Sequence, residues 1–227
     1  FEIRYPEDPT FTRGLHSEEE TIEVIAGVDA TVAGGEYYTP RVIESLPQLK
    51  VIARAGVGFD RVDVESATSH QVAVTVTPTS NHESVAELTL ALLFAVTKKI
   101  VVNDRAVRGG AWPTDLLMPI RGQTFGILGL GRIGRSTAVR ARALGMDVLA
   151  CEKFPQQDFV KEQGIELVDF EQLLQRSDFV SIHCPLNDET RGMMNRDAFA
   201  LMKDRAILIN TPHNPTGHVA SRDELEG

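Results

Sequence analysis

Cysteine is almost missing from this chain of 227 residues: there are two, Cys151 and Cys184. Both fall at the ends of predicted buried strands. They suit reduced thiols in a cytoplasmic protein better than a disulfide framework. Basic residues are in deficit, 23 Lys and Arg against 32 Asp and Glu for a formal net charge of −9, and nothing gathers them into one face. A phosphate backbone needs a concentrated basic surface, so no nucleic acid partner is expected. No apolar run reaches membrane-spanning length without interruption, and no basic-then-apolar leader opens the chain, so no membrane partner is expected either. The chain starts mid-pattern at Phe1, and the want of a leader therefore carries no weight. A repeat of fixed short period and low-complexity tracts are lacking too. The histidines His16, His70, His82 and His218 show no paired metal spacing, and His183 lies on a predicted strand, so no metal is expected.

What is present is organised around residues 124–152, TFGILGLGRIGRSTAVRARALGMDVLACE. The order is strand, glycine turn, helix, strand, acid. The apolar run at 125–128 suits a buried parallel strand and leads into G-x-G-x-x-G at 129–134. Gly129 suits the tight turn, Gly131 lets backbone approach a pyrophosphate, and Gly134 lets the following helix pack on the strand. Free N–H groups at that helix's start face the anion. The helix stops near Gly145, a second strand follows at 147–151, and Glu152 is then placed to hydrogen-bond a ribose 2′-hydroxyl. A glycine cluster alone marks an ordinary turn; here strand, helix, second strand and acid complete the context of a dinucleotide site. The charge of Glu152 favours NAD over NADP, while Lys153 beside it leaves room for a 2′-phosphate. Glu152 as a solvated strand-end acid is the competing reading.

Elsewhere the chain alternates. Residues 2–5 read as a strand. Ser17 and Glu20 have capping-box spacing before a helix carrying Ile22, Val24 and Ile25. A strand at 30–33 ends at Gly34 and Gly35, Thr39 and Pro40 open a helix, and a strand at 49–53 runs into RAGVGFD at 54–60. A short helix at 64–68 and a strand at 72–76 follow. From 81 to 98 the character changes: Ser84 and Glu87 form a second capping-box spacing, and Leu88, Leu90, Leu92, Leu93, Phe94 and Val96 surround a helix predicted to be buried all round, between two domains. A further helix at 100–108 ends at Gly109 and Gly110, before Trp112. Past the nucleotide unit come strands at 165–168, 179–184 and 206–209, the last ending at Asn210, with helices at 170–175 and 195–202. The fold class is α/β. Residues 1–80 form one domain, 81–211 a nucleotide domain, and 212–227 a C-terminal segment returning to the cleft.

Several separated motifs together resemble one family: RAGVGFDRVD at 54–63, NHESVAE at 81–87, GLGRIG at 129–134, SDFVSIHCPL at 177–186 and ETRG at 189–192. The chain resembles the NAD-dependent D-2-hydroxyacid dehydrogenases, which include phosphoglycerate, glyoxylate and formate dehydrogenases. The resemblance implies two αβα domains, a Rossmann-type doubly wound parallel sheet and a smaller flavodoxin-like substrate domain, with the active site in the cleft between them. It implies an oxidoreductase with NAD as cofactor, a small 2-hydroxy or 2-oxo acid as substrate, and a homodimer. It would have the backbone N–H groups of Val57 and Gly58 hold the substrate carboxylate, with Arg54 and Asn81 beside them. Arg132 and Ile133 would lie along the pyrophosphate and Glu152 on the adenine ribose. Cys184, Pro185, Thr190, Asn210 and Thr211 would flank the rest of the cofactor. A plain turn at Val57 and Gly58, and a solvated Arg132, are the competing readings.

One departure matters. In the family a histidine exchanges the hydroxyl proton with the substrate, a glutamate holds that histidine, and an arginine orients the substrate carboxylate. The arginine follows the strand ending at Asn210, as N-T-x-R-G, yet this chain reads Asn210-Thr211-Pro212-His213-Asn214. Either His213 stands in the arginine's slot, or this is the family's later T-P-H segment and the stretch between is absent. Gly217 and the polar run at 221–226 fit the second reading, which makes His213 the catalytic acid/base; a loop histidine without a role is the alternative. The missing arginine and glutamate also motivate another class of function, a catalytically inactive dinucleotide-sensing scaffold or corepressor of the same fold. The apolar Val57 and Phe59, with no basic cluster for a phosphate, disfavour phosphoglycerate as substrate.

Overall fold

The computed structural model describes residues 2–210 and the strand His218–Ser221. Chain contacts divide the molecule into two units, Phe1–Asn81 and His82–Gly227.

The first unit is a small parallel α/β structure. Helix α1 (Glu18–Ile25) starts at the capping box read from the sequence, with Ser17 Oγ accepting from Glu20 N at 3.2 Å and Glu20 Oε2 from Ser17 N at 2.8 Å. Strand β1 (Ala30–Ala33) is followed by α2 (Pro40–Glu44), where Thr39 is the N-cap and Pro40 fills a position that needs no N–H. Strand β2 (Val51–Arg54), α3 (Val64–Ser69, capped by Asp63) and β3 (Ala73–Thr75) complete it. The sheet order is β1-β2-β3, all parallel, with Ala33 opposite Arg54 and Ala53 opposite Thr75, so the carboxyl ends share one rim. Tyr38, Ile43, Ile52 and Ala67 are at the centre of its core. Residues 2–5 form no strand, contrary to their alternation: Ile3 and Tyr5 are exposed, so the pattern buries nothing.

The second unit begins with α4 (His82–Thr97) and α5 (Ile100–Arg108). It continues β4 (Thr124–Leu128), α6 (Arg132–Ala143), β5 (Asp147–Cys151), α7 (Gln157–Gln163), β6 (Glu166–Leu167) and α8 (Phe170–Arg176). Then come β7 (Phe179–Ile182), α9 (Arg196–Leu201), β8 (Ile207–Asn210) and β9 (His218–Ser221). The sheet order is β6-β5-β4-β7-β8-β9, parallel except for β9, which pairs antiparallel with β8. Alternate residues supply two cores. Phe125, Ile127, Phe179 and Ile209 meet Leu90, Leu93 and Ala138 on one face, and Leu128, Val180 and Leu208 meet Leu173, Leu174 and Ala198 on the other. Gly126 lets α8 lie close on β4, since a Cβ there would stand 2.2 Å from Ser177 Oγ.

Three local expectations are corrected here. Helix α4 is already formed at His82, so Ser84 lies inside it and caps nothing; the acid that matters is Glu83, which accepts from Ser136 Oγ and Arg140 of α6. Within the unit, α4 is buried along one stripe, Ala86, Leu90, Leu93 and Thr97, rather than all round, and Val96 is exposed. Strand β7 closes at Ile182, two residues before the expected end. Strand β9 is an addition that the sequence did not announce. No helix among the described residues is long and apolar enough to cross a membrane.

Candidate functional site

The strand order places the reversal of chain direction across the sheet between β4 and β7, and the turn after β4 sits at the carboxyl end of that switch point. Gly129 has φ +93°, a left-handed backbone, and a Cβ on it would come within 2.6 Å of Cys184 N. A Cβ on Gly134 would lie 2.1 Å from the Gly129 carbonyl oxygen, because α6 crosses its own turn closely. Gly131 is different. It is the N-cap of α6, makes no side-chain capping bond, and has nothing within 4 Å of where a Cβ would stand. Uncapped N–H groups at the positive end of a helix dipole, under open space, are what a diphosphate requires. Ile133 is partly buried in that first turn and Arg132 is exposed on it.

Glu152 follows β5 and grips the same turn: its Oε2 accepts from Leu130 N at 2.7 Å and its Oε1 from Phe154 N at 2.9 Å. Each oxygen keeps a lone pair for a hydroxyl donor. Lys153 is turned to Glu189, with Nζ 2.9 Å from Oε1. On the other side of β4, His183 N donates to Leu128 O at 2.7 Å and carries Cys184 over Gly129. Burial pushes both cysteine thiols up, so they are neutral packing groups near pH 7. Pro185 O accepts from Thr190 Oγ1 at 2.6 Å, and Asn187 Oδ1 accepts from Thr190 N at 3.0 Å, which folds the loop after β7 back on itself. Asn210 ends β8 opposite Ile182. These groups surround one rim and fit an adenine dinucleotide. His183 stands apart: desolvation pulls its pKa down to about 4, and Nε2 is 2.9 Å from Ser181 Oγ, a structural pairing. Thr211 and His213, and the spacing of residues 210–212 that separates the two readings of that segment, lie outside the described residues.

In the first unit the loop after β2 is stapled from several sides. Ala55 N donates to Ala33 O and Thr77 N to Gly56 O, both at 2.9 Å. Arg54 Nε donates to Gly58 O at 3.0 Å, and its Nη1 to Gly34 O. Among the described residues no acceptor in the chain takes the N–H of Val57 or Gly58. Asn81 Oδ1 is buried without a hydrogen-bond partner, and Asn81 Nδ2 lies 3.8 Å from the position of a Cβ on Gly56. Two contributors were not read from the sequence. Thr77 holds the Gly56 carbonyl, and Arg135 Nη1 donates to Leu130 O at 3.2 Å, bracing the nucleotide turn opposite Glu152. Neither has a local signature, because each acts on a carbonyl supplied by another segment. Among the described residues no cluster of His, Cys, Asp and Glu could hold a metal ion.

Residues 90–218 match the profile of the D-isomer specific 2-hydroxyacid dehydrogenase, NAD binding domain. A glyoxylate reductase of Korarchaeum cryptofilum is 40% identical over 202 residues, which cover 86% of this chain and 61% of that protein. A D-3-phosphoglycerate dehydrogenase of Methanocaldococcus jannaschii is 38% identical over 198 residues, covering 86% of this chain and 38% of that protein. The chain thus spans less than two thirds of the length of either relative. The crystal structure of D-lactate dehydrogenase from Aquifex aeolicus complexed with NAD and lactic acid superimposes with a TM-score of 0.76 at 30% identity, over 86% of this chain and 59% of that one.

Proposed function

This chain belongs to the D-isomer specific 2-hydroxyacid dehydrogenase family, and from that premise we propose that it interconverts a D-2-hydroxy acid and its 2-oxo acid with NAD(H). The observation that carries the proposal is the open, uncapped helix start at Gly131 beneath the switch point. NAD, when bound, supplies the hydride acceptor or donor. The chain's own residues do the rest. The N–H groups of α6 hold the diphosphate, Glu152 receives ribose hydroxyls, and the N–H groups of Val57 and Gly58 receive the substrate carboxylate. His213 gives or takes the hydroxyl proton. NAD is favoured over NADP because a 2′-phosphate would meet the Glu152 carboxylate, while Lys153 is engaged by Glu189. The exposed Val57 and Phe59 favour a small unphosphorylated 2-oxo acid. A homodimer is supported by apolar side chains exposed on α5, and a cytoplasmic location by the two free thiols.

The test is a titration with NADH followed by a 2-oxo acid panel read at nicotinamide absorbance. Saturable turnover is expected with at least one small 2-oxo acid. His213→Ala is expected to lower turnover by about 10²- to 10⁴-fold while NADH binds as before. The absence of the family's arginine after Asn210 favours one second reading, the dinucleotide-sensing scaffold. A full-length protein that binds NADH tightly but turns over no acid in the panel would favour that alternative.

A further inference from the structure

Where β1 and β2 end, three charged side chains converge that the proposed reaction does not use as acid or base. Glu36 is only 4% exposed, and its Oε2 has no hydrogen-bond partner. Arg54 spans two turns, donating from Nη1 to Gly34 O just past β1 and from Nε to Gly58 O in the loop past β2. Arg61 donates to Gly35 O, with its guanidinium 4.5 Å over the Tyr37 ring. Burial pushes the Glu36 carboxyl above the usual carboxylate range, against the N–H groups of Glu36 and Gly34 and the charges of Arg54 and Arg61, which pull it down. The two guanidiniums and the carboxylate therefore share one partly dry environment.

The consequence lies in peptide planarity. A carbonyl and the following N–H belong to one rigid plane and point opposite ways. Thr77 N fixes the plane after Gly56, and Arg54 Nε fixes the plane after Gly58. The intervening peptide, which joins Val57 to Gly58, is held between two anchored planes. We propose that Arg54 is a positioning residue rather than a substrate contact: its fork, set beside Arg61 on the turn that carries the buried Glu36, fixes the peptide planes around Val57 and Gly58 so that their N–H groups receive a carboxylate without rearrangement. This rests on reading the loop as the carboxylate site. A lysine keeps the charge but is a point donor that cannot span two carbonyls in fixed directions.

Arg54→Lys, Arg54→Met and Glu36→Gln in the full chain are compared by amide hydrogen exchange at Ala55 and Thr77, and by NMR titration of the Val57 and Gly58 amides with oxalate. Arg54→Lys is expected to speed exchange at Thr77 about tenfold, the effect of losing one hydrogen bond from a charged donor, nearly as much as Arg54→Met. Oxalate affinity falls in parallel, NADH affinity is unchanged, and Glu36→Gln moves both readouts in the same direction. Exchange and oxalate binding left at wild-type levels by Arg54→Lys overturn the proposal, and that variant decides the matter even if Glu36→Gln fails to fold. Faster exchange in a protein whose wild type binds no oxalate leaves the clamp standing and removes the carboxylate-site reading instead.

Discussion

His183 shows how a residue can resemble a catalytic group and be something else. It sits beside Cys184 at the nucleotide rim, but desolvation holds its pKa at about 4 against 6.5 for an unburied histidine. The folded chain therefore binds fewer protons there than the unfolded chain does, and stability rises with pH between those values. Stability is full above pH 6.5, falls as pH drops, and levels off below about 4. The loss over that window is on the order of 3 kcal/mol. Urea unfolding across pH 4 to 7 should show this slope, and His183→Gln should flatten it; an equal slope in the variant removes His183 as its source. Arg54 gives the complementary lesson. Its motif was legible, but the direction of its side chain was not, because one acceptor, Gly34 O, belongs to the turn after a neighbouring strand.

Among the elements, α1 and α2 were readable because their caps are local: Ser17 and Thr39 each bond a backbone N–H three residues on. The same spacing misled at Ser84, where tertiary partners of Glu83 decide where α4 begins. Strand β9 was invisible for a related reason, since four residues acquire strand character only by lying against β8. Helix α5 was legible as a helix but not in its role. None of its residues is buried, and Ile100, Val101, Val102 and Val107 are all exposed, as is Trp112 beyond it. This apolar surface is the ground for the homodimer proposed above. With a second copy as its partner, Val102→Asp should convert a dimer to a monomer in sedimentation velocity. A wild type that sediments as a monomer at all concentrations rules the dimer out.

At the scale of the molecule, the α/β class and the nucleotide turn were legible because parallel strands, glycines and capping residues write themselves locally. The chemistry proposed for His213 depends on residues that the described structure does not include. The division into two units carries its own prediction. A ligand that binds one folded unit stabilises that unit by mass action. NADH should therefore slow amide exchange in β4, α6 and β5 and leave β1 to β3 unchanged; equal protection in both units, or in the first alone, contradicts the assignment of the coenzyme to the second. The turn at Gly129, Gly131 and Gly134 has a further consequence. Two of those positions are blocked by the protein's own atoms, and the third by nothing. Descendants selected only for the ability to fold would keep the first and last glycine and let the middle one drift, whereas selection through the coenzyme would retain all three, so the tolerance of this one position tells which pressure the lineage has been under.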